Sequence, residues 1–114
     1  MLLLEEIIVE SGGDLEIVST VVVGFDDDKN FVVELETNDY EFRCGNQRLW
    51  AVVEKEDALM LADYLKVKLT ALPRTFDEKF GESGVFVLSY VEARFKEILD
   101  FILDCGMHYQ LITK

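Results

Sequence analysis

The chain has 114 residues, 23 acidic and 11 basic side chains, a formal net charge of -12 and a hydrophobic fraction of 50%, which fits one folded domain spanning 1–114 and is too apolar for a disordered chain. No apolar run approaches the roughly 20 residues that span a bilayer, and the opening Met1-Leu2-Leu3-Leu4 runs straight into Glu5 and Glu6 without the basic flank of a signal peptide. Two cysteines, Cys44 and Cys105, are too few for the disulfide framework of a small secreted domain, so a cytoplasmic protein with free thiols is expected, although sequence separation alone does not decide whether the two pair.

The charge is unevenly spread. Residues 1–64 hold 16 acidic and 4 basic side chains while residues 65–114 hold 7 of each, so the whole excess of 12 lies in the first part. Such a field repels phosphate backbones and anionic lipid and attracts basic surfaces. The expected partner is therefore a basic protein, with no direct nucleic acid and no membrane.

Within the first eleven residues, Leu3, Leu4, Ile7 and Ile8 fit a helical face, while Ile7-Ile8-Val9 ahead of Ser11-Gly12-Gly13 fits a strand entering a hairpin; both readings stay open. Leu15 to Phe25 is rich in β-branched residues and apolar on both faces, which predicts a central strand covered on both sides. A second copy of the chain is one way to cover the face that helices leave bare, so a homodimer is expected as a possibility. Asp26-Asp27-Asp28-Lys29-Asn30 reads as a turn. Phe31 to Thr37 alternates as a half-wet strand, Asn38-Asp39 as a tight turn, Tyr40 to Cys44 as a returning strand, Gly45-Asn46-Gln47 as a turn and Arg48 to Val53 as another strand, giving an antiparallel meander.

From Lys55 to Leu72 the apolar period becomes helical, through Ala58, Leu61, Ala62, Leu65, Leu69 and Leu72, and Pro73 is read as its stop. Arg74 to Gly84 reads as a loop. Ser89 and Glu92 have capping-box spacing ahead of a helix that buries Val91, Phe95, Ile98, Leu99 and Ile102 and ends at Gly106. Val85 to Leu88 and His108 to Thr113 read as short strands. The fold class is α+β, a mostly antiparallel sheet of five to seven strands with two or three helices packed on it.

Asp26, Asp28 and Asn30 occupy the first, third and fifth positions of a calcium loop, but Phe31 stands where Gly is needed and Thr37 where a bidentate Glu is needed, which excludes an EF-hand. Cys105 and His108, with Cys44, offer three zinc-competent side chains and no specified fourth, and the same groups form at most a thiol and a base without any local catalytic signature. No phosphate-binding, nucleophile-elbow or zinc-protease motif is present. No cofactor or metal is expected.

The strongest surface feature is a set of strand positions. Glu34, Glu36, Glu41 and Arg43 project together on the face opposite the core, with Glu16 on the neighbouring strand and Trp50 on or beside the resulting acidic ladder. Like charges across strands destabilise unless a partner relieves them, and aromatic anchors dominate interfaces. Together with Asp26, Asp27 and Asp28 these residues form the expected partner-binding set of a non-catalytic module of the inhibitor, immunity, antitoxin or chaperone type. The competing readings are a small-molecule or metal-dependent activity built on Cys44, Cys105, His108 and the 74–84 loop, and a structural subunit of a larger assembly.

Overall fold

The computed structural model describes residues 2–11, 17–39, 45–82, 84 and 86–113. Five strands, β1 (Leu3–Glu10), β2 (Ile17–Phe25), β3 (Phe31–Asp39), β4 (Gly45–Val53) and β5 (Gln110–Thr113), form one sheet in the order β1-β2-β3-β4-β5, with every neighbouring pair antiparallel. Three helices, α1 (Lys55–Leu65), α2 (Leu72–Phe80) and α3 (Leu88–Asp104), lie in sequence between β4 and β5. The fold is the α+β meander expected. No helix among the described residues is long and apolar enough to cross a membrane.

Side chains alternate between the two faces of a strand, and here the alternation separates two clusters. Val21, Val23 and Phe25 of β2, Phe31 and Val33 of β3, and Ala51 and Val53 of β4 join one core with Ala58, Leu61 and Ala62 of α1, Leu72, Phe76 and Phe80 of α2, and Val91, Phe95, Ile98, Leu99 and Ile102 of α3. All three helices thus cover the same face. The intervening residues Val22, Val32 and Val52 form a second cluster with Leu2, against which Trp50 packs, and no helical residue belongs to it. The two-faced apolar character of β2 is real, but its second face is closed by neighbouring strands and Leu2.

Several local expectations are corrected. Asn38 and Asp39 are strand residues paired with Asn46 and Gly45, so neither Asn38-Asp39 nor Gly45-Asn46-Gln47 is a turn. The expected return strand Tyr40 to Cys44 lies outside the described residues, as do Leu15 and Glu16. The first segment is a strand, with two bulges opposite β2 and Leu4 at φ 52. At the edge of a sheet such bulges twist and interrupt pairing.

The predicted long helix ends at Leu65, where Lys66 turns left-handed at φ 60 and the amides of Lys66 and Val67 bond back to the carbonyls of Asp63 and Ala62 at 3.1 and 3.0 Å. A 3₁₀ turn at Leu69–Ala71 follows. Pro73 then sits in the first turn of α2, where a missing amide costs nothing, so it starts a helix within the segment read as a loop. Leu72, Phe76 and Phe80, four residues apart, are the buried stripe of α2. The capping box is also overturned: α3 begins at Leu88 after Val87, with no side-chain cap, and Ser89 lies inside it. Of the expected Val85 to Leu88 strand, Val85 lies outside the described residues, Phe86 makes a β-bridge parallel to Ser11, and Leu88 belongs to α3. The other end behaves as expected, since Gly106 adopts φ 85 and the amides of Gly106 and Met107 close on the carbonyls of Leu103 and Ile102 at 2.9 and 3.2 Å.

The chain after α2 is fastened on both sides. Glu82 donates its amide to the Ile8 carbonyl of β1 at 3.0 Å, and its carboxylate takes bonds from Arg94 at 2.5 Å and Tyr90 at 2.8 Å on α3. Tyr90 stacks on Phe86 at 4.7 Å.

Gly24 of β2 passes directly beneath the first strand. A Cβ there would stand 2.7 Å from the Leu2 Cβ and 2.8 Å from the Leu3 carbonyl oxygen. Gly24→Ala is therefore expected to lift Leu2 off the second cluster and lower stability by about 1–3 kcal/mol, read as a lower urea midpoint with an unchanged slope. An unchanged midpoint would show that β1 yields without cost.

Candidate functional site

The helix-free face of the sheet carries the candidate site. Cross-strand register lines up Ile7, Val22, Glu34, Trp50 and Ile112 in one row, and Glu10, Thr20, Glu36 and Arg48 in the next. Directly opposed side chains on one face interact most strongly. Two contacts result: the Trp50 indole donates Nε1–H to Glu34 Oε2 at 2.6 Å, and Arg48 Nε donates to Glu36 Oε2 at 2.9 Å. Asn38 Nδ2 donates to Glu36 Oε1 at 3.1 Å, so both Glu36 oxygens have partners.

The two glutamates differ in environment. Glu34 exposes only 7% of its surface, whereas Glu36 and Arg48 are partly open to water. Burial pushes the Glu34 carboxyl above its usual range; the Trp50 hydrogen bond and the Arg48 charge oppose this, and Glu36 and Glu5 add to it. Glu5, Glu34, Glu36 and Arg48 line a cleft of about 230 Å³. Among the described residues three carboxylates share this cleft with one guanidinium, which bonds Glu36.

Of the expected partner-binding residues, Glu34, Glu36 and Trp50 lie together on the helix-free face. Glu16, Glu41 and Arg43 lie outside the described residues. Asp26, Asp27 and Asp28 form the β2–β3 turn, at the strand end beyond Phe31, and are not part of this cleft. Asp26 is occupied in holding that turn: its carboxylate accepts from the Asp28 and Asn30 amides at 2.9 Å and from Asn30 Nδ2 at 3.1 Å. Asn30 in turn accepts the Lys55 amide at the start of α1 at 3.0 Å. Asp27 and Asp28 remain exposed.

Sequence reasoning missed Glu5 and Arg48 as members of the cleft. Arg48 stands two residues before Trp50, a spacing that puts both on one face of a strand, so its position was readable. Glu5 was not, because the bulges of β1 break the simple alternation.

The competing site is dispersed. Cys105 follows α3 as a free, half-buried thiol whose pKa is pushed up by burial and by Asp104, against a smaller opposing pull from Lys79. That direction disfavours the thiolate a nucleophile needs. His108 is exposed, its amide donating to Asp57 at 3.3 Å beside a cleft of about 210 Å³ that also includes Glu54, Tyr109 and Gln110. Cys44 lies outside the described residues, and among those described no three His, Cys, Asp or Glu side chains are grouped to hold a metal ion. The 74–84 segment, expected to be the loop of such a site, is largely α2.

No protein-family model, no curated protein and no solved structure matches this chain.

The environment of Glu34 sets a pH dependence of known sign. Because its folded pKa lies above the unfolded value, the folded state takes up the proton first, so this group adds stability as pH falls through the raised pKa toward the ordinary glutamate range. Glu34→Gln keeps an acceptor for the indole and removes the buried charge. It is expected to be as stable as the parent at pH 7 or more stable by up to about 1 kcal/mol, with this acid-side gain abolished in urea titrations from pH 7 to 5. A variant clearly less stable at pH 7 would show that the carboxylate is needed by the fold itself.

Proposed function

We propose that the protein is a non-catalytic acidic binding module, of the inhibitor, immunity, antitoxin or chaperone type, acting in the cytoplasm and docking a basic protein through the helix-free face of its sheet. The observation that carries this reading is the Glu34 cleft. A carboxylate whose pKa is raised chiefly by burial is poorly solvated, and an arginine or lysine side chain entering from a partner relieves that condition where water does not. Trp50 beside it offers the aromatic surface on which interface energy concentrates. Negative field over the N-terminal part adds steering of a basic partner.

The test separates binding from folding. Tagged protein is expected to retain a stoichiometric basic partner from its native lysate at about 0.15 M salt and less of it at several-fold higher salt, while Glu34→Gln with Glu36→Gln, folded by the same urea assay, retains at least tenfold less. Equal retention by the variant would remove the cleft from the interface.

Self-association favours a different surface. Two copies apposed through the helix-free face would set Glu5, Glu34 and Glu36 against their own counterparts, whereas the β5 edge is uncharged Gln110-Leu111-Ile112-Thr113, exposed along its length. The opposite edge is guarded by the two β1 bulges and by Glu5, Glu6 and Glu10. A homodimer joined through β5 is expected in sedimentation equilibrium at tens of micromolar, a range typical of modest interfaces, and Ile112→Lys is expected to return it to monomer. A parent that stays monomeric at several hundred micromolar would exclude the dimer.

A further inference from the structure

A second cleft lies away from the Glu34 face, where the first strand enters the sheet. It measures about 400 Å³ and is lined by Leu3 and Leu4 of β1, Phe25 at the end of β2, Lys29 of the β2–β3 turn, and Leu69 and Thr70 of the 3₁₀ turn. That volume falls in the roughly 300–1,000 Å³ range of small-molecule sites. The chemistry of the lining is unusual for this chain. Among the described residues no acidic side chain lines the cleft, while one cation, Lys29, does. Lys29 forms no ion pair among the described residues.

The cleft is also held open against ordinary costs. Leu3 and Leu4 leave 55% and 58% of their surfaces in water. They are not loose ends, because Leu2 is buried in the second cluster, its neighbour Gly24 permits the close approach, and Leu3 pairs in register with Phe25. Among the described residues three non-glycine positions have positive φ, and two of them, Leu4 at 52 and Lys29 at 68, stand in this lining. Left-handed side chains of this kind cost on the order of 1–3 kcal/mol each and concentrate at ligand clamps. At Lys29 the carboxylate of Asp26 holds the turn that imposes the conformation.

We infer that this cleft binds a small amphipathic monocarboxylate, its apolar tail against Leu3, Leu4, Phe25 and Leu69 and its carboxylate on the Lys29 ammonium and the Thr70 hydroxyl. The apolar walls supply burial, and Lys29 supplies the sign of the head group. Asp27 and Asp28, exposed in the same turn, oppose an anion, so the affinity is modest and rests on the local lysine against the global charge. The site is independent of the docking surface proposed above, and its failure leaves that reading untouched.

The probe pair is octanoate and octan-1-ol, equal in chain length and different in head charge, titrated into the ¹⁵N-labelled full chain. Octanoate is expected to saturate with a dissociation constant of roughly 1 mM, in line with the efficiency of small ligands, moving the amides of Leu3, Leu4, Leu69 and Thr70, and to bind about tenfold more tightly than octan-1-ol. Lys29→Gln is expected to erase that preference while leaving octan-1-ol unchanged, and Leu4→Ser to weaken both ligands several-fold; both replace exposed side chains, and an unaltered amide spectrum elsewhere verifies the fold. Absence of saturable shifts at these residues up to 10 times the expected constant, or equal binding of the two probes by the parent chain, would overturn the proposal. So would protection of Leu3 and Leu4 by a captured protein partner with octanoate leaving them unmoved, which would assign the cleft to an apolar side chain of that partner.

Discussion

Phe76 stands where the layers of this molecule meet. Its ring lies 5.0 Å from Phe31 on the sheet, 6.0 Å from Phe80 along α2 and 5.7 Å from Phe101 on α3, and Phe31 continues the chain to Phe25 at 5.7 Å. Tilted and edge-on aromatic pairs at these separations add to the area they bury, and loss of one such ring costs about 3–5 kcal/mol. Because this contact draws α2 and α3 to the same side of β2 and β3, it also decides that the other side receives no helix. The bare face is thus a product of core packing on the opposite one.

A sheet face without helices must manage its own burial. Here three valines and Leu2 form a small dry patch, and Glu34 is set at its margin with an indole as its hydrogen-bond partner. A glutamine would satisfy the same geometry without the desolvated charge, so the fold gains little from the carboxylate. The half-buried pair of Glu36 and Arg48, still open to water, contributes about 1 kcal/mol. The charged groups of this face are tolerated by the architecture, in contrast to the Glu82, Tyr90 and Arg94 contacts, which tie the end of α2 to α3.

Most of the architecture was legible from residue patterning: the β-branched run of β2, the alternation in β3, the helical stripe of α3 and the glycine at its end all behave as their chemistry dictates. The misreadings share a cause. Pro73 reads as a terminator, whereas the stripe of Leu72, Phe76 and Phe80 marks a beginning, and Ser89 reads as a cap, whereas α3 starts one residue earlier at Leu88. Local signals of that kind specify a boundary only when tertiary packing agrees. For the site, period two places Glu34, Glu36 and Trp50 on one face, but only the register of β3 against β4 opposes Trp50 to Glu34 and Arg48 to Glu36. The bulges that bring Glu5 over the same cleft have no sequence signature in a run as apolar as Leu2 to Val9.

The order of the strands carries one more consequence, for the route by which the chain reaches this structure. β1 to β4 are consecutive in sequence and adjacent in space, so each pairing closes a short segment, whereas β5 meets β4 only after the whole helical layer has been placed between Val53 and Gln110. Closure entropy therefore makes β5 the last strand to arrive and the first to leave. Until it does, the outer side of Leu49 to Val52 stays open as a template, and the late strand of one molecule finds the same template on another. Concentration during folding, and not only at equilibrium, thereby becomes a variable that decides whether β5 returns to its own chain or is exchanged between two.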